Sequence, residues 1–478
     1  MSAGEVMTHD APDVRRAWLL ICGAIAVEAV VLGVWSALHG VNADEGFYIA
    51  AGWHAAQGRH LYGDVFFPQM PYLPWIEAGL FRMTGPSLDA ARALSVAGGA
   101  LGAGIVTGLA WQQEQSFTTA LIVAVLYVCS GVLLNGLAII KTYGIANLCL
   151  LTGFAVLALG LARQPVWAFC AGLAAACAVG VRLAVAPAAI VLAFMAWRCG
   201  IPALIAFALG GLVGSLPWLW AAASYPAEFW FGNVTFHALR REITGATAIV
   251  MQKLGVVTKW VLLPQHLLLW ALVAIGCWRA GRRVWPAAAC TLVLAATYAA
   301  ATPTYLEYMA QFVPFALLAG APAIAWLLRT RVVATCVVAL YLVGLYPLLA
   351  PNESGTARGD KRDLWRRSNV DEIAAYIRDQ SAPTDAVLSW WEGYPILSDR
   401  PGYVGVGFWE SNMAKKLPAE TARRFHVMQH AEIRELIQQR DPKMIVVADG
   451  NWDDLRSDIE SGYTSAKRVN GIQVYARR

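Results

Sequence analysis

Val41–Tyr48 reads VNADEGFY, between an apolar run that starts near residue 17 and the segment IAAGWHAAQGRHLYGDVFFPQMPYLPW. Two adjacent carboxylates, Asp44 and Glu45, thus fall where the first hydrophobic segment ends. The rest of the chain makes that placement informative. Of 478 residues, 58% are hydrophobic and 14% charged, with a mean hydropathy of +0.50. Soluble proteins carry about 25% charged residues, so the deficit points to a polytopic α-helical membrane protein. A net charge of +5 gives no reason to invoke nucleic acid. All 9 cysteines lie in apolar segments without CxxC or Cys/His spacing, so they read as small buried apolar residues.

Arg15 and Arg16 precede an apolar run that ends without a small-residue cleavage site, which reads as a signal anchor rather than a removable leader. A spanning helix needs about 20 apolar residues, and about eleven segments are candidates. They lie near 17–38, 93–111, 117–135, 143–162, 165–180, 183–198, 201–221, 256–278, 285–301, 305–328 and 331–350. With Arg15 and Arg16 in the cytoplasm, every second loop is cytoplasmic. Those loops carry Arg163, Arg198, the RAGRR run Arg279–Arg283 and RTR at Arg329–Arg331; only the loop at Gln112–Gln115 lacks such support. The odd number of spans sends the C-terminus outside. Three polar regions then face the exterior: loop 39–92, loop 222–255 and the tail after Pro351. The expected division is a membrane module over 1–350 and a small extracytoplasmic α/β domain over 351–478. In that tail VDEIAAYIRDQ and AEIRELIQQRDP read as amphipathic helices, DAVLSWW and KMIVVAD as strands. No phosphate-binding glycine loop opens either helix.

The first outer loop holds the chemistry. GFYIAAGWHAAQGRHL reads as a short amphipathic helix, and IEAGLFRMTG as an apolar stretch too short to span, lying along the interface with aromatic residues at head-group depth. Asp44 and Glu45 have two readings: solvated loop carboxylates, or a base at the water–lipid boundary. Adjacent carboxylates raise each other's pKa when partly desolvated, which suits proton abstraction.

A single apolar helix, then DE, an amphipathic segment ending in glycine, an F-x-x-P run and a P-W interfacial helix resembles the GT-C superfamily. Those are membrane glycosyltransferases with lipid-phosphate sugar donors. The nearest likeness is to the bacterial branch of protein mannosyltransferases, the aminoarabinose transferase and the RgtA–D-like sugar transferases. The order of features matches over nearly the whole chain, although the motifs are short. The resemblance makes Asp44 the first-loop acid that positions or deprotonates the acceptor hydroxyl, with Glu45 assisting. Asp44 and Glu45 would also be the ligands of a divalent cation, magnesium or manganese, if the reaction takes one. KTYGIANLCLL places Lys141 where relatives have an arginine, so the resemblance makes it a positive charge for the donor phosphate, and Tyr143 where some have a second aspartate. The lysine before the loop proline is absent, Gln69 and Met70 standing in PQMP.

Donor phosphate ligands must then come from elsewhere. In NVTFHALRRE, His237, Arg240 and Arg241 share one helical face at spacings of three and four, and a guanidinium grips phosphate bidentately. Arg182, near an outer helix end, is another candidate, or it snorkels outward. Tyr305, Glu307 and Tyr308 in TPTYLEYMAQFVPF, with Tyr143 and Gln69, offer sugar or acceptor ligands, and the tyrosines of that stretch fit an aromatic belt equally well. Glu28 falls mid-span, where ionisable groups suggest function or an interhelical hydrogen bond. Trp390, Trp391 and Tyr394 offer a glycan-binding surface or part of the tail's core. The reaction implied is an inverting transfer from a polyprenyl-phosphate sugar to a hydroxyl of a glycan, lipid or protein, at the outer face of the inner membrane. The competing class is a transporter or flippase of a lipid-linked saccharide. It predicts polar mid-span residues and paired broken helices, whereas these spans are mostly clean Ala/Leu/Val.

Overall fold

The computed structural model describes residues 11–239, 245–349, 364–407 and 415–478. It begins with ten helices: α1 (Ala11–Leu38), α2 (Ala43–Ala56), α3 (Tyr72–Thr84), α4 (Leu88–Glu114), α5 (Phe117–Val128), α6 (Gly131–Leu137), α7 (Tyr143–Ala158), α8 (Pro165–Val181), α9 (Ala186–Arg198) and α10 (Ile201–Ser224). Further helices cover Ala246–Leu262, Pro264–Ala280, Trp285–Ala300, Val313–Leu327 and Arg331–Val343. Every apolar segment singled out in the sequence contains helix. Among the described residues, three helices can cross a membrane by length and composition, α1, α4 and α10, and up to five spans result if each bent pair counts as one. The bent pairs are α5 with α6, at 57°, and Thr247–Leu262 with Pro264–Arg283, at 67°. The remaining apolar helices are shorter.

Helix boundaries follow local chemistry. Ser87 and Ser116 accept hydrogen bonds from the amides of Ala90 and Thr119, capping α4 and α5. Gln115, with φ 49°, ends α4 in the left-handed region. Helix α3 starts at Tyr72, earlier than the apolar stretch suggested, because Pro74 sits in its first turn, where its missing N–H costs nothing.

Small residues bring the helices together. A Cβ on Gly172 of α8 would lie 1.9 Å from the Phe207 carbonyl oxygen, and one on Gly210 of α10 would lie 1.9 Å from that of Phe169. The two backbones therefore touch at reciprocal glycines, as in helix pairs within lipid. On the outside of α10, Ile201, Ile205, Leu209, Leu212, Leu216 and Trp220 are all exposed. Their spacing of three or four puts them on one face. A stripe of that kind is stable against lipid and not against water.

The tail carries a four-stranded sheet in the order β1-β2-β4-β3. β1 (Val387–Ser389) pairs parallel with β2 (Met444–Ala448), and β4 (Ile472–Arg477) pairs antiparallel with both β2 and β3 (Tyr463–Val469). Helices Arg367–Asp379 and His430–Gln438 accompany it. β1, β2 and both helices occur where the sequence suggested them. The β3–β4 hairpin was missed, although its turn residues Asn470 and Gly471 both have positive φ, 43° and 83°. An Asn-Gly pair between alternating strands is the strongest short-range hairpin signal.

Candidate active site

The quoted stretch is resolved residue by residue. The Val41 amide donates to the Trp365 carbonyl, 2.7 Å away, joining the end of α1 to the tail. Asn42 caps α2 in a reciprocal capping box with Glu45. Gly46 lies under Trp391: a Cβ there would be 2.3 Å from the indole nitrogen, which donates to the Ala43 carbonyl at 2.8 Å. Trp391 is therefore 3% exposed and Tyr394 fully buried. With Trp390 they join the tail's core to the first loop, so they form no free aromatic surface.

The two carboxylates part company. Glu45 is 0% exposed and faces Arg92 of α4, itself 3% exposed. Its Oε1 accepts from Arg92 Nε (2.8 Å) and the Ile140 amide (3.0 Å), and Oε2 from Arg92 NH2 (2.7 Å) and the Asn42 amide (2.8 Å). Arg92 also donates to the carbonyls of Ser36, His39 and Gly40. Those contacts use all five guanidinium donors. Glu45 therefore fastens α1, α2, α4 and the 140 segment together, with both oxygens of the expected catalytic or metal-binding acid engaged in that clamp. The sequence held one clue to its partner: Arg92 is a charged residue at the head of an apolar helix.

Asp44 turns the other way, into a cavity of about 550 Å³. Lining it are nine of the site candidates, Asp44, Gln69, Lys141, Tyr143, Arg182, His237, Tyr305, Glu307 and Tyr308. Arg240 and Arg241 lie outside the described residues. Residues from widely separated parts of the chain meet here. Phe47 and Tyr48 of α2, Asn233 and Phe236 of the second loop, and Tyr298 at the end of the Trp285–Ala300 helix complete the wall. The sequence reading missed these; Tyr48 was visible inside the quoted stretch, and Tyr298 as an aromatic just before TPTYLEY.

At the centre is Lys141, 4% exposed, on the short segment between α6 and α7. Its Nζ is 2.9 Å from Asp44 Oδ2 and 2.9 and 3.0 Å from the two oxygens of Glu307. Tyr143 Oη donates to Glu307 Oε1 at 2.9 Å. Burial opposes the ammonium charge, but Asp44 and Glu307 outweigh it and hold the pKa well above that of an ordinary lysine. Asp44 remains 42% exposed to the cavity, whereas Glu307 is 23% exposed.

Arg182 is a half-buried residue at the C-terminal end of α8. Its Nε donates to Tyr298 Oη (2.9 Å) and NH1 to Thr142 Oγ1 (2.6 Å). The guanidinium carbon lies 4.7, 5.3 and 5.2 Å from the ring centres of Tyr143, Tyr298 and Tyr308. This aromatic cage fixes a cation without neutralising it. Three of its five donors have no partner among the described residues. It does not snorkel away from the protein. His237 Nε2 is 2.9 Å from the Pro68 carbonyl, tying the second loop to the first. Tyr48 donates to Gln69 Oε1 at 3.0 Å, and burial pushes its pKa up to about 12. Glu307 sits on a 3-10 turn, Leu306–Gln311, ahead of the Val313–Leu327 helix, not on the continuous helix suggested. Glu28 is fully buried outside the cavity, and neither carboxylate oxygen has a hydrogen-bond partner among the described residues.

Two solved structures match over 96% of this chain and 97% of their own, at 16% identity. They are ArnT from Cupriavidus metallidurans bound to undecaprenyl phosphate, TM-score 0.70, and the same protein in the apo state, TM-score 0.68. The chain has the ArnT fold. The likeness read from the sequence thus holds as a likeness of fold over nearly the whole chain. No family model and no curated protein matches the sequence.

Proposed function

We propose that this chain is an inverting glycosyltransferase, moving a sugar from a polyprenyl-phosphate donor to an acceptor hydroxyl. The observation that carries the reading is the cavity. It joins a half-exposed carboxylate, a caged guanidinium and several phenol rings at the end of α1, in a fold also seen with undecaprenyl phosphate bound.

In this mechanism Arg182 binds the donor phosphate through its unused donors. The tyrosines and Gln69 face the sugar. The acceptor oxygen attacks the anomeric carbon from the side opposite the phosphate. The new C–O bond forms as the bond to phosphate oxygen breaks, the electron pair leaves with polyprenyl phosphate, and the hydroxyl proton passes to Asp44. Arg182 steadies the charge growing on the leaving phosphate. Lys141 has its three donors on carboxylate oxygens, so in this reading it orients Asp44 and leaves the phosphate to Arg182. The cavity faces the outer side of the inner membrane, with the N-terminus in the cytoplasm and the tail outside. The membrane module of residues 1–350 performs the transfer, and the domain of 351–478 roofs the first loop.

The test is transfer from a panel of radiolabelled polyprenyl-phosphate sugars, with membrane extract supplying acceptors, by the purified chain and its Asp44→Asn variant. Transfer by the wild type that falls at least a hundredfold in a folded variant supports the base assignment. Undiminished transfer by Asp44→Asn removes it. No transfer from any donor, with saturable binding of a lipid-linked saccharide, turns the reading to a transporter.

A further inference from the structure

A divalent cation between acidic residues is the natural companion of a phosphate-leaving reaction, and the donor set for one here is Asp44, Glu45 and Glu307. It does not fit. Glu45 has both oxygens committed to Arg92 and two backbone amides. Among the described residues no three His, Cys, Asp or Glu side chains come together as ligands. A hard cation wants six or more oxygens at about 2.0–2.6 Å. Asp44 and Glu307 instead converge on nitrogen, at 2.9 to 3.0 Å, the distance of charge-assisted hydrogen bonds.

Resting on the transferase reading, we infer that the Lys141 ammonium takes the place a divalent cation would hold between Asp44 and Glu307, so that transfer is independent of divalent metal. Three features carry this. The ammonium has three donors, and three carboxylate oxygens lie within 3.0 Å of it. The carboxylates come from distant elements, the first turn of α2 and the Leu306–Gln311 turn, so the bridge joins two walls of the cavity. Tyr143 Oη holds Glu307 from another direction, fixing its oxygens toward the lysine. Glu307 is then a positioning residue, acting on Asp44 through Lys141. Unlike a metal ion, this cation neither dissociates nor polarises the phosphate, a task left to Arg182.

The test uses the purified full-length chain in two arms. In the first, the wild type transfers sugar before and after exhaustive chelation. The expected change is less than twofold, and a rate lost on chelation and restored by magnesium or manganese overturns the inference. In the second, manganese(II) is titrated by electron paramagnetic resonance, which needs no activity. The wild type is expected to bind none at this site. Lys141→Met, which leaves two facing carboxylates, gains one site that Lys141→Met/Asp44→Asn loses, and added manganese restores part of the transfer lost in Lys141→Met. Wild-type manganese binding that Asp44→Asn abolishes overturns the inference. So does a folded Lys141→Met that binds none. Lys141→Arg keeps the charge and is the second variant should Lys141→Met unfold: it is expected to exclude manganese, and binding by it counts against the inference. Failure of the wild type to transfer from any donor sinks the transferase reading instead, while the manganese arm still reports whether Lys141 fills a cation's place.

Discussion

Substitution of Glu45 separates a structural acid from a chemical one. The carboxylate is 0% exposed and pairs with an arginine that is 3% exposed. Removing one partner of such a pair leaves an uncompensated buried charge and costs about 3–5 kcal/mol. The Asn42 and Ile140 amides also lose their acceptor, at about 1–3 kcal/mol for each that stays buried and unsatisfied. Glutamine keeps one acceptor oxygen, so Glu45→Gln should cost about 3 kcal/mol and Glu45→Ala about 5 kcal/mol or more. Thermal unfolding in detergent, followed by the fluorescence of the 20 tryptophans, reads this directly. A fall of the midpoint on the order of 3 °C is expected for Glu45→Gln. Glu45→Leu/Arg92→Leu, which removes both charges, should recover much of the loss. At temperatures where Glu45→Gln remains folded, its transfer rate should stay within about tenfold of wild type, a rise of about 1.4 kcal/mol or less in the barrier. A Glu45→Gln protein that melts with the wild type but transfers a hundredfold more slowly would refute the reasoning and return Glu45 to the chemistry.

Arg182→Leu removes the caged guanidinium, and hydrogen bonds to a charged group contribute about 1.5–3 kcal/mol. The apparent KM for a polyprenyl-phosphate donor should rise by roughly ten- to a hundredfold, and unchanged donor saturation would exclude Arg182 from phosphate binding. Gly210→Ala places a methyl group 1.9 Å from the Phe169 carbonyl oxygen. The α8–α10 pair must then separate at a cost of about 1–3 kcal/mol, visible as a lower melting temperature. His54 of α2 is kept neutral because burial, with Arg59 nearby, lowers its pKa to about 4. An unfolded histidine titrates near 6.5, so between these values the folded state binds fewer protons and stability falls as pH falls. Acidification from pH 6.5 to 4 should cost up to about 3 kcal/mol, and His54→Gln should flatten that slope in a melting-temperature-against-pH series.

The fold and the site were legible to different degrees, for physical reasons. Apolar runs announce helices because lipid tolerates no unpaired backbone polar group, so each segment reappears as helix. Their number of crossings did not follow, since bends such as that between α5 and α6 depend on packing. Site candidates spread from Asp44 to Tyr308 converge on one cavity because each was a polar or aromatic residue in a loop or at the end of an apolar segment. Their pairings stayed hidden. Nothing local in KTYG says that Lys141 will meet a glutamate 166 positions away, and nothing in DE says which acid faces inward. The helical phase of α2 decides that. Asp44 and Glu45 are consecutive, hence about 100° apart around the axis, and the capping box that starts α2 at Asn42 fixes the angle. One carboxylate is thereby committed to Arg92 and the architecture, and the other to the cavity. The adjacency that suggested a coupled pair in the sequence is what drives the two apart in space. A residue inserted between Asn42 and Asp44 would turn Asp44 to the direction Glu45 now holds and carry Glu45 about 100° further on, which breaks both the Glu45–Arg92 clamp and the Lys141 bridge.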